Sequence, residues 1–305
     1  MRNSITPRKR KISTKDTRDA YIMLLPFLLL FGFFVILPIL ASVFLSFTYF
    51  DMIQMPKFIG VGNYVRMFLS DDVFLKAVSN TLIFAVVTGP LGYMACLMIA
   101  WLVNDLSKTM RTFMTFVFYA PSISGSVYVI WSYIFSGDSY GFVNGWLRKL
   151  GLISQPIQFL TDPAYTLQIL MIVQLWLSLG TAFLSFIAGL QNVDTQMYEA
   201  GAIDGIRNRW QELFYITLPA MGPQLKFGAV MQIGASFSVA EISIALAGFP
   251  STDNAGTTIV THIMDVGNTR YEMGYASAIS VFLFAIMIFT NFIVRKILKA
   301  ITKED

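Results

Sequence analysis

The sequence predicts an all-α integral membrane protein with six transmembrane helices, and three observations carry that prediction. First, 55% of the 305 residues are hydrophobic and only 13% are charged, whereas a soluble domain carries about a quarter charged residues. Second, the charges leave long gaps: none falls in residues 20–50, 77–104, 112–137, 163–193, 227–240 or 273–294. A spanning helix needs about 20 mostly apolar residues, so these gaps place spans at about 20–49, 77–103, 112–136, 164–189, 222–246 and 273–296. Third, runs such as residues 21–30 are apolar on every side. Barrel strands would alternate in segments of about ten residues, and a helix is the continuous segment whose backbone groups pair within itself in lipid.

The opening run is far longer than a signal h-region of about 7–15 residues, so it reads as a span. Orientation follows from Lys and Arg. The N-terminal tail (1–19), the loops after spans two and four and the C-terminal end from Arg295 onward, which includes the tail (299–305), together carry 15 of them. The opposite loops carry six: Lys57, Arg66, Lys76, Arg148, Lys149 and Arg270. Both termini are therefore expected in the cytoplasm, with the basic tail held by anionic lipid and not by nucleic acid. The single cysteine, Cys96, excludes an intramolecular disulfide and reads as packing within span two. One histidine, His262, leaves no His-based triad and no multi-His metal site.

Along the chain, span one carries Pro26 and Pro38, where kinks are expected. The first outer loop, 51–76, reads as lying on the membrane surface. Spans two and three are joined by residues 104–111 and must be antiparallel neighbours. Pro121 inside span three frees backbone groups that Ser122 or Ser124 can partner. Gly137, Gly141 and Gly145 recur at the spacing of close helix contacts, but Asp138 and Asn144 between them make a loop with a short surface helix the better reading. The last outer loop, around 248–271, is rich in Ser, Thr, Asn and Gly.

Residues 190–220 are polar and helix-prone between two apolar runs. Asp194 or Thr195 can cap a first helix, Gly205 can stop it, and Asn208 with Gln211 three residues on can open a second in the manner of a capping box. Pro219 is expected to end that second helix and redirect the chain into span five. The product is an elbow of two short helices. Small Ala200 and Gly201 would let another protein surface approach, and Glu199 would offer it a charge.

This segment resembles the EAA loop of binding-protein-dependent ABC importer permeases, whose signature is Glu-Ala-Ala, a Gly four residues later, then Ile-x-Leu-Pro. Here it reads Glu199-Ala200-Gly201, Gly205 and Ile216-Thr217-Leu218-Pro219. Gly201 stands at the second Ala, and the distance from Gly205 to Ile216 is one residue longer than the signature's. The similarity extends to residues 33–38, 58–64, Trp131, Trp176, 188–191 and 274–278, and points to the carbohydrate branch, similar to the maltose and glycerol-phosphate permeases.

The resemblance implies a type I ABC importer permease fold in a bacterial or archaeal cell membrane. It implies a second, related permease, two cytoplasmic ATPase subunits and an extracellular sugar-binding protein. Residues Glu199, Ala200, Gly201, Ala202, Ile203, Asp204 and Gly205 would couple to the ATPase. The chain would be no enzyme and bind no cofactor itself: it lacks a Gly-x4-Gly-Lys-Ser/Thr loop, so ATP and Mg belong to the ATPase. Driving a two-state carrier from 1:99 to 99:1 takes about 5.5 kcal/mol of differential binding, which nucleotide and binding protein would supply.

Sugar sites combine an aromatic face with hydrogen-bonding groups. Tyr119, Gln174, Trp176, Ser178, Gln232 and Ser236 are the candidates for the path. Gln174 with Ser178, and Gln232 with Ser236, share helix faces at i, i+4. Glu241 joins them, because an acid within a span costs about 2.5–3.5 kcal/mol and usually faces a cavity. The expected cargo is an oligosaccharide, with glycerol phosphate or a polysaccharide fragment next. From another class, an ion-coupled secondary transporter remains, although no internal repeat is visible.

Overall fold

The computed structural model describes residues 14–125 and 127–302. Most of the basic tail and Lys303 fall outside the described residues. Five helices are long and apolar enough to cross a membrane: Tyr21–Leu45, Asp72–Asn104, Thr166–Gln191, Gly222–Ala247 and Met273–Ala300. Between the second and third of these lies a bent pair, Lys108–Ile123 and Val127–Ile134, whose axes differ by 83°. Counted as one, the pair is span three of six. The first and last described residues then lie on one face, here called the terminal face.

Span two organises the bundle. Its 33 residues make a helix of about 50 Å. Phe74, Ala77, Thr81, Phe84, Ala85, Thr88, Gly92, Cys96, Ala100 and Val103 are buried along it, and steps of three and four residues make these a single stripe. Along that stripe sit three packing clusters. One, near the opposite face, joins Phe74 and Ala77 to Ile259, Val266 and Ile279 of the last loop and span six. The middle one joins Phe84 to Leu170, Val173, Ile242 and Leu246. The third, toward the terminal face, joins Cys96 and Ala100 to Phe183, Phe186, Leu190 and Leu225. Small residues bring the helices close: a Cβ on Gly92 would lie 2.3 Å from Gln232 Nε2 and 3.1 Å from Ser178 Cβ.

Spans three, four and five are each interrupted. Span four consists of Thr166–Leu177 and Thr181–Gln191, span five of Gly222–Phe237 and Glu241–Ala247. The break in span three comes just after Pro121, which itself stays helical, while the Ser122 hydroxyl donates to the Tyr119 carbonyl at 2.8 Å. Beyond the breaks, Glu241–Ala247 packs against both Val127–Ile134 and Thr166–Leu177.

Proline acts differently from the expectation in two places. In span one the irregularity is a π turn, Gly32–Ile36, in which the Leu37 N–H reaches back five residues to the Gly32 carbonyl. Pro38 follows directly. A proline ring clashes with the carbonyl four residues earlier and offers no N–H; a widened turn ahead of it relieves both problems. The same device precedes Pro219: in Leu213–Thr217 the Leu218 N–H bonds the Leu213 carbonyl. Pro219 therefore sits inside a helical run from Arg209 to Ala220, and the chain turns at Met221 instead.

No residue of span one is buried within this chain, and its outer half packs on span six. The first outer loop folds back as a two-stranded hairpin, Thr48–Tyr49 with Lys57–Phe58. Buried Asn63 donates to the Ser46 and Thr48 carbonyls, each at 2.9 Å. Gly274 at the head of span six passes so near this hairpin that a Cβ would lie 2.1 Å from the Thr48 carbonyl oxygen. The Gly-containing second outer loop carries the expected surface helix, Phe142–Lys149, pinned by Asn144, which bonds the Ser136 and Ile157 backbone.

The Ser/Thr/Asn-rich last loop is the larger surprise. It folds inward, and residues 255–259 are all buried. Buried backbone needs partners, and here side chains of span two supply them. Asn80 donates to the carbonyls of Asn254, Ala255 and Thr257, and Thr81 accepts from the Ile259 N–H at 2.9 Å. Thr258 caps the helix Ile259–Met264 and also donates to the Val239 carbonyl at 2.5 Å.

Candidate functional site

The elbow forms as local sequence dictates. Asp194 accepts from the Gln196 N–H at 2.9 Å and starts the helix Thr195–Ile203. Gly205 ends it at φ +95°, a left-handed conformation natural to glycine. Asn208 caps Arg209–Glu212 by accepting from the Gln211 N–H at 2.8 Å. The Gln211 side chain accepts from the Arg207 N–H, one residue ahead of the cap, so the box is closed on a neighbour.

Glycine at 201 has a different use from the one expected. It is buried, and a Cβ there would lie 2.6 Å from Ile216 Cδ1 and 3.1 Å from Ile206 Cδ1. Its smallness closes the elbow's own inner angle. The extra residue between Gly205 and Ile216 is also accounted for: a π turn is a helix carrying one inserted residue, and Leu213–Thr217 is that turn. It keeps Ile216 directed at Gly201, and Thr217 within 2.9 Å of the Tyr198 hydroxyl.

Glu199, Ala200, Ala202, Ile203, Asp204 and Gly205 are exposed, Ile203 to 87%. Asp194, Glu199 and Asp204 face no Lys or Arg within residues 194–206. The first elbow helix thus presents an acidic and apolar outer surface. Behind the elbow lies a cavity of about 450 Å³, lined by Trp101, Asp105, Arg111, Tyr198, Arg209 and Glu212, among others.

The candidate path residues do not form one pocket within this chain. Gln232 and Ser236 are buried in its own packing. Gln232 donates to the Thr88 carbonyl at 3.2 Å, Ser236 to the Ile233 carbonyl at 3.1 Å, and both border an apolar groove between spans two, five and six. Ser178 is buried at the break in span four; its hydroxyl donates to the Leu175 carbonyl and its own carbonyl accepts from Cys96. Gln174, one turn earlier, is half-buried. Half-buried Tyr119 lines a separate cavity of about 330 Å³ toward the terminal face.

Trp176 and Glu241 are brought together, through two residues the sequence reading did not select. Tyr128 and Trp131 lie at i, i+3 on the outer segment of span three. Tyr128 lies close enough to Glu241 for the two to interact electrostatically, and the Trp131 ring meets Trp176 edge-on at 5.4 Å. Glu241 itself stands exposed at the head of the outer segment of span five. The available signal was Trp131 and Tyr128 following the Pro121 break at helical spacing.

At the opposite face, Asp71 caps span two, accepting from the Phe74 N–H at 2.8 Å. Its other oxygen accepts from the Tyr275 hydroxyl at 2.7 Å and lies 2.9 Å from His262 Nε2. The His262 side chain is 1% exposed. Burial pushes the Asp71 carboxyl upward, but the bonds from Tyr275 and Phe74 and the neighbouring His262 outweigh it, and its pKa lies below the ordinary 3.8. Beside it, Arg66 pairs with Glu272 and covers the Tyr275 ring at 4.2 Å. Among the described residues no group of His, Cys, Asp and Glu is arranged to hold a metal.

A bundle of apolar spans, three of them interrupted, with a capped polar elbow at one face, defines the class: a multi-pass membrane permease. The chain belongs to the family of binding-protein-dependent transport system inner membrane components, whose model matches residues 89–303. It is 32% identical over 277 residues to the probable ABC transporter permease YesP of Bacillus subtilis, covering 90% of this chain and 88% of that one. It is 31% identical to the lactose transport system permease LacF of Rhizobium radiobacter, covering 90% and 93%. With the arabinooligosaccharide permease AraP of Bacillus subtilis it shares 28%, over 91% and 87%. A bacterial ABC transporter that imports the acidic polysaccharide alginate contains a chain of the same fold, with TM-score 0.73, 26% identity and coverage of 93% and 97%. That transporter has also been solved with a periplasmic protein carrying an alginate pentasaccharide. The family favours an importer permease over an ion-coupled secondary transporter.

Proposed function

We propose that this chain is one of two related permease subunits of an ATP-driven importer and forms half of the path for an oligosaccharide delivered by an external binding protein. The elbow carries the proposal. Its outer face is acidic and apolar, and its inner face is locked by Gly201 against Ile216. It is therefore a rigid handle for a soluble partner whose cleft is basic and apolar. That partner is a cytoplasmic ATPase, which sets the terminal face in the cytoplasm and holds ATP and Mg. The Lys and Arg distribution supports this orientation. Lactose and arabinooligosaccharide permeases among the relatives support a sugar cargo. The alginate importer supports a polysaccharide fragment as the second reading.

The test is purification from native membranes followed by cross-linking from residues 195–205. An ATPase and a second permease should co-purify, with cross-links to the ATPase, and uptake into proteoliposomes should require ATP and the binding protein. Uptake driven by an ion gradient alone overturns the proposal.

The path is assigned to the side where the interrupted spans leave Trp176 and Glu241 exposed, since an acid at that depth avoids lipid. Glu241→Gln is expected to raise the half-saturating sugar concentration several-fold, roughly 1 kcal/mol of binding, with the complex intact. Unchanged uptake and ATPase kinetics would reduce Glu241 to a local partner of Tyr128.

A further inference from the structure

The elbow is joined by the chain to spans four and five only. Span two, which packs on both, has no covalent link to it, and much of the space between them is the cavity of about 450 Å³. Across that space the side-chain packing is confined to the Trp101 and Trp210 rings. One charged contact also bridges it. The Arg209 guanidinium pairs with Asp105, the residue that caps the end of span two, and lies 3.6 Å from Glu212. It also stands 6.0 Å from the centre of the Trp101 ring, which meets Trp210 at 5.1 Å. Arg111 stiffens the same end, donating to the Asn104 carbonyl at 3.2 Å and to its side chain at 3.1 Å. A cation at a helix C-terminus also complements the partial negative charge of the last carbonyls.

We infer that Arg209 is a positioning residue of the coupling step: through Asp105 it ties the elbow to span two, so that elbow displacement moves the central helix together with spans four and five. This rests on the reading that the elbow receives motion from an ATPase. The pair is partly exposed, with 57% and 36% of its side chains accessible. Such pairs add little to static stability. The contact can therefore loosen and re-form as the elbow travels without unfolding it.

The test uses the full complex with its ATPase and binding protein in proteoliposomes, reading sugar moved per ATP hydrolysed. Arg209→Gln and Asp105→Asn are each expected to lower that ratio about three- to fivefold, the range a half-exposed ion pair supports, at unchanged complex yield. Arg209→Lys should recover most of it, and the double variant Arg209→Gln with Asp105→Asn should be no worse than either single one. An unchanged ratio, additive losses, or a loss matched by equally reduced assembly overturns the inference while leaving the importer reading intact. A wild-type complex without any ATPase overturns both.

Discussion

Replacing Glu199 by Lys is expected to abolish most ATP-driven uptake, by tenfold or more, while the elbow keeps its shape. Glu199 is exposed and forms no contact that holds the elbow together; the fold there rests on Asp194, Asn208, Gly201 against Ile216, and Tyr198 with Thr217. A Lys at this exposed helical position disturbs none of these. At a docked interface the effect is large, because truncating one partner of a buried, hydrogen-bonded charge pair costs about 2–5 kcal/mol, and reversal adds repulsion. The measurements are ATPase retention on purification and sugar uptake per ATP, compared with Glu199→Gln. Normal uptake by an assembled Glu199→Lys complex would remove Glu199 from the coupling surface.

The second large effect is at the opposite face. Asp71→Ala should lower stability by roughly 2–4 kcal/mol, because it strands the Tyr275 hydroxyl, the Phe74 N–H and His262 in a buried setting and removes the cap of span two. Those partners come from span six, span two and the inward-folded last loop, so one carboxylate fastens three elements. The sign of its pH dependence follows from its lowered pKa. A carboxylate bound more strongly when charged stabilises the fold above the unfolded-state value and loses that contribution as pH falls through the folded-state value. The thermal midpoint in detergent should therefore be flat with respect to this group above about pH 5 and decline below about pH 4. In Asp71→Asn the acid decline should be shallower. An Asp71→Ala protein that melts with the wild type would show that Asn80, Thr81 and Thr258 hold the last loop without the Asp71 carboxylate.

The spans were legible because lipid permits so few solutions. A charge-free run of about 20 residues in lipid has to become a helix, and such runs stand in the sequence before any contact is known. The elbow was legible for a local reason: caps and stops act within four residues, and Asp194, Gly205 and Asn208 each act as their chemistry predicts. The use of Gly201 was not legible, because Ile216 lies fifteen positions away and reaches it only through the π turn ahead of Pro219. The inward fold of the last loop was hidden for a similar reason. Its Ser, Thr and Asn residues look like a solvated surface until Asn80 and Thr81, more than 170 positions earlier, are placed beside them.

What the sequence determined by itself is the all-helical membrane class, the number of crossings and the position of the elbow. These follow from hydropathy and nearest-neighbour capping, which need no tertiary partner. The tertiary structure alone decided where polar side chains on the spans are directed. It turned Gln232 onto the Thr88 carbonyl and Ser236 beside Gly89 of span two, set Glu241 near Tyr128 and Trp176 against Trp131 across the interrupted spans, and set Arg209 against Asp105. A buried polar group must find a partner wherever the packed helices bring one within reach, and that distance exists only once the helices have packed.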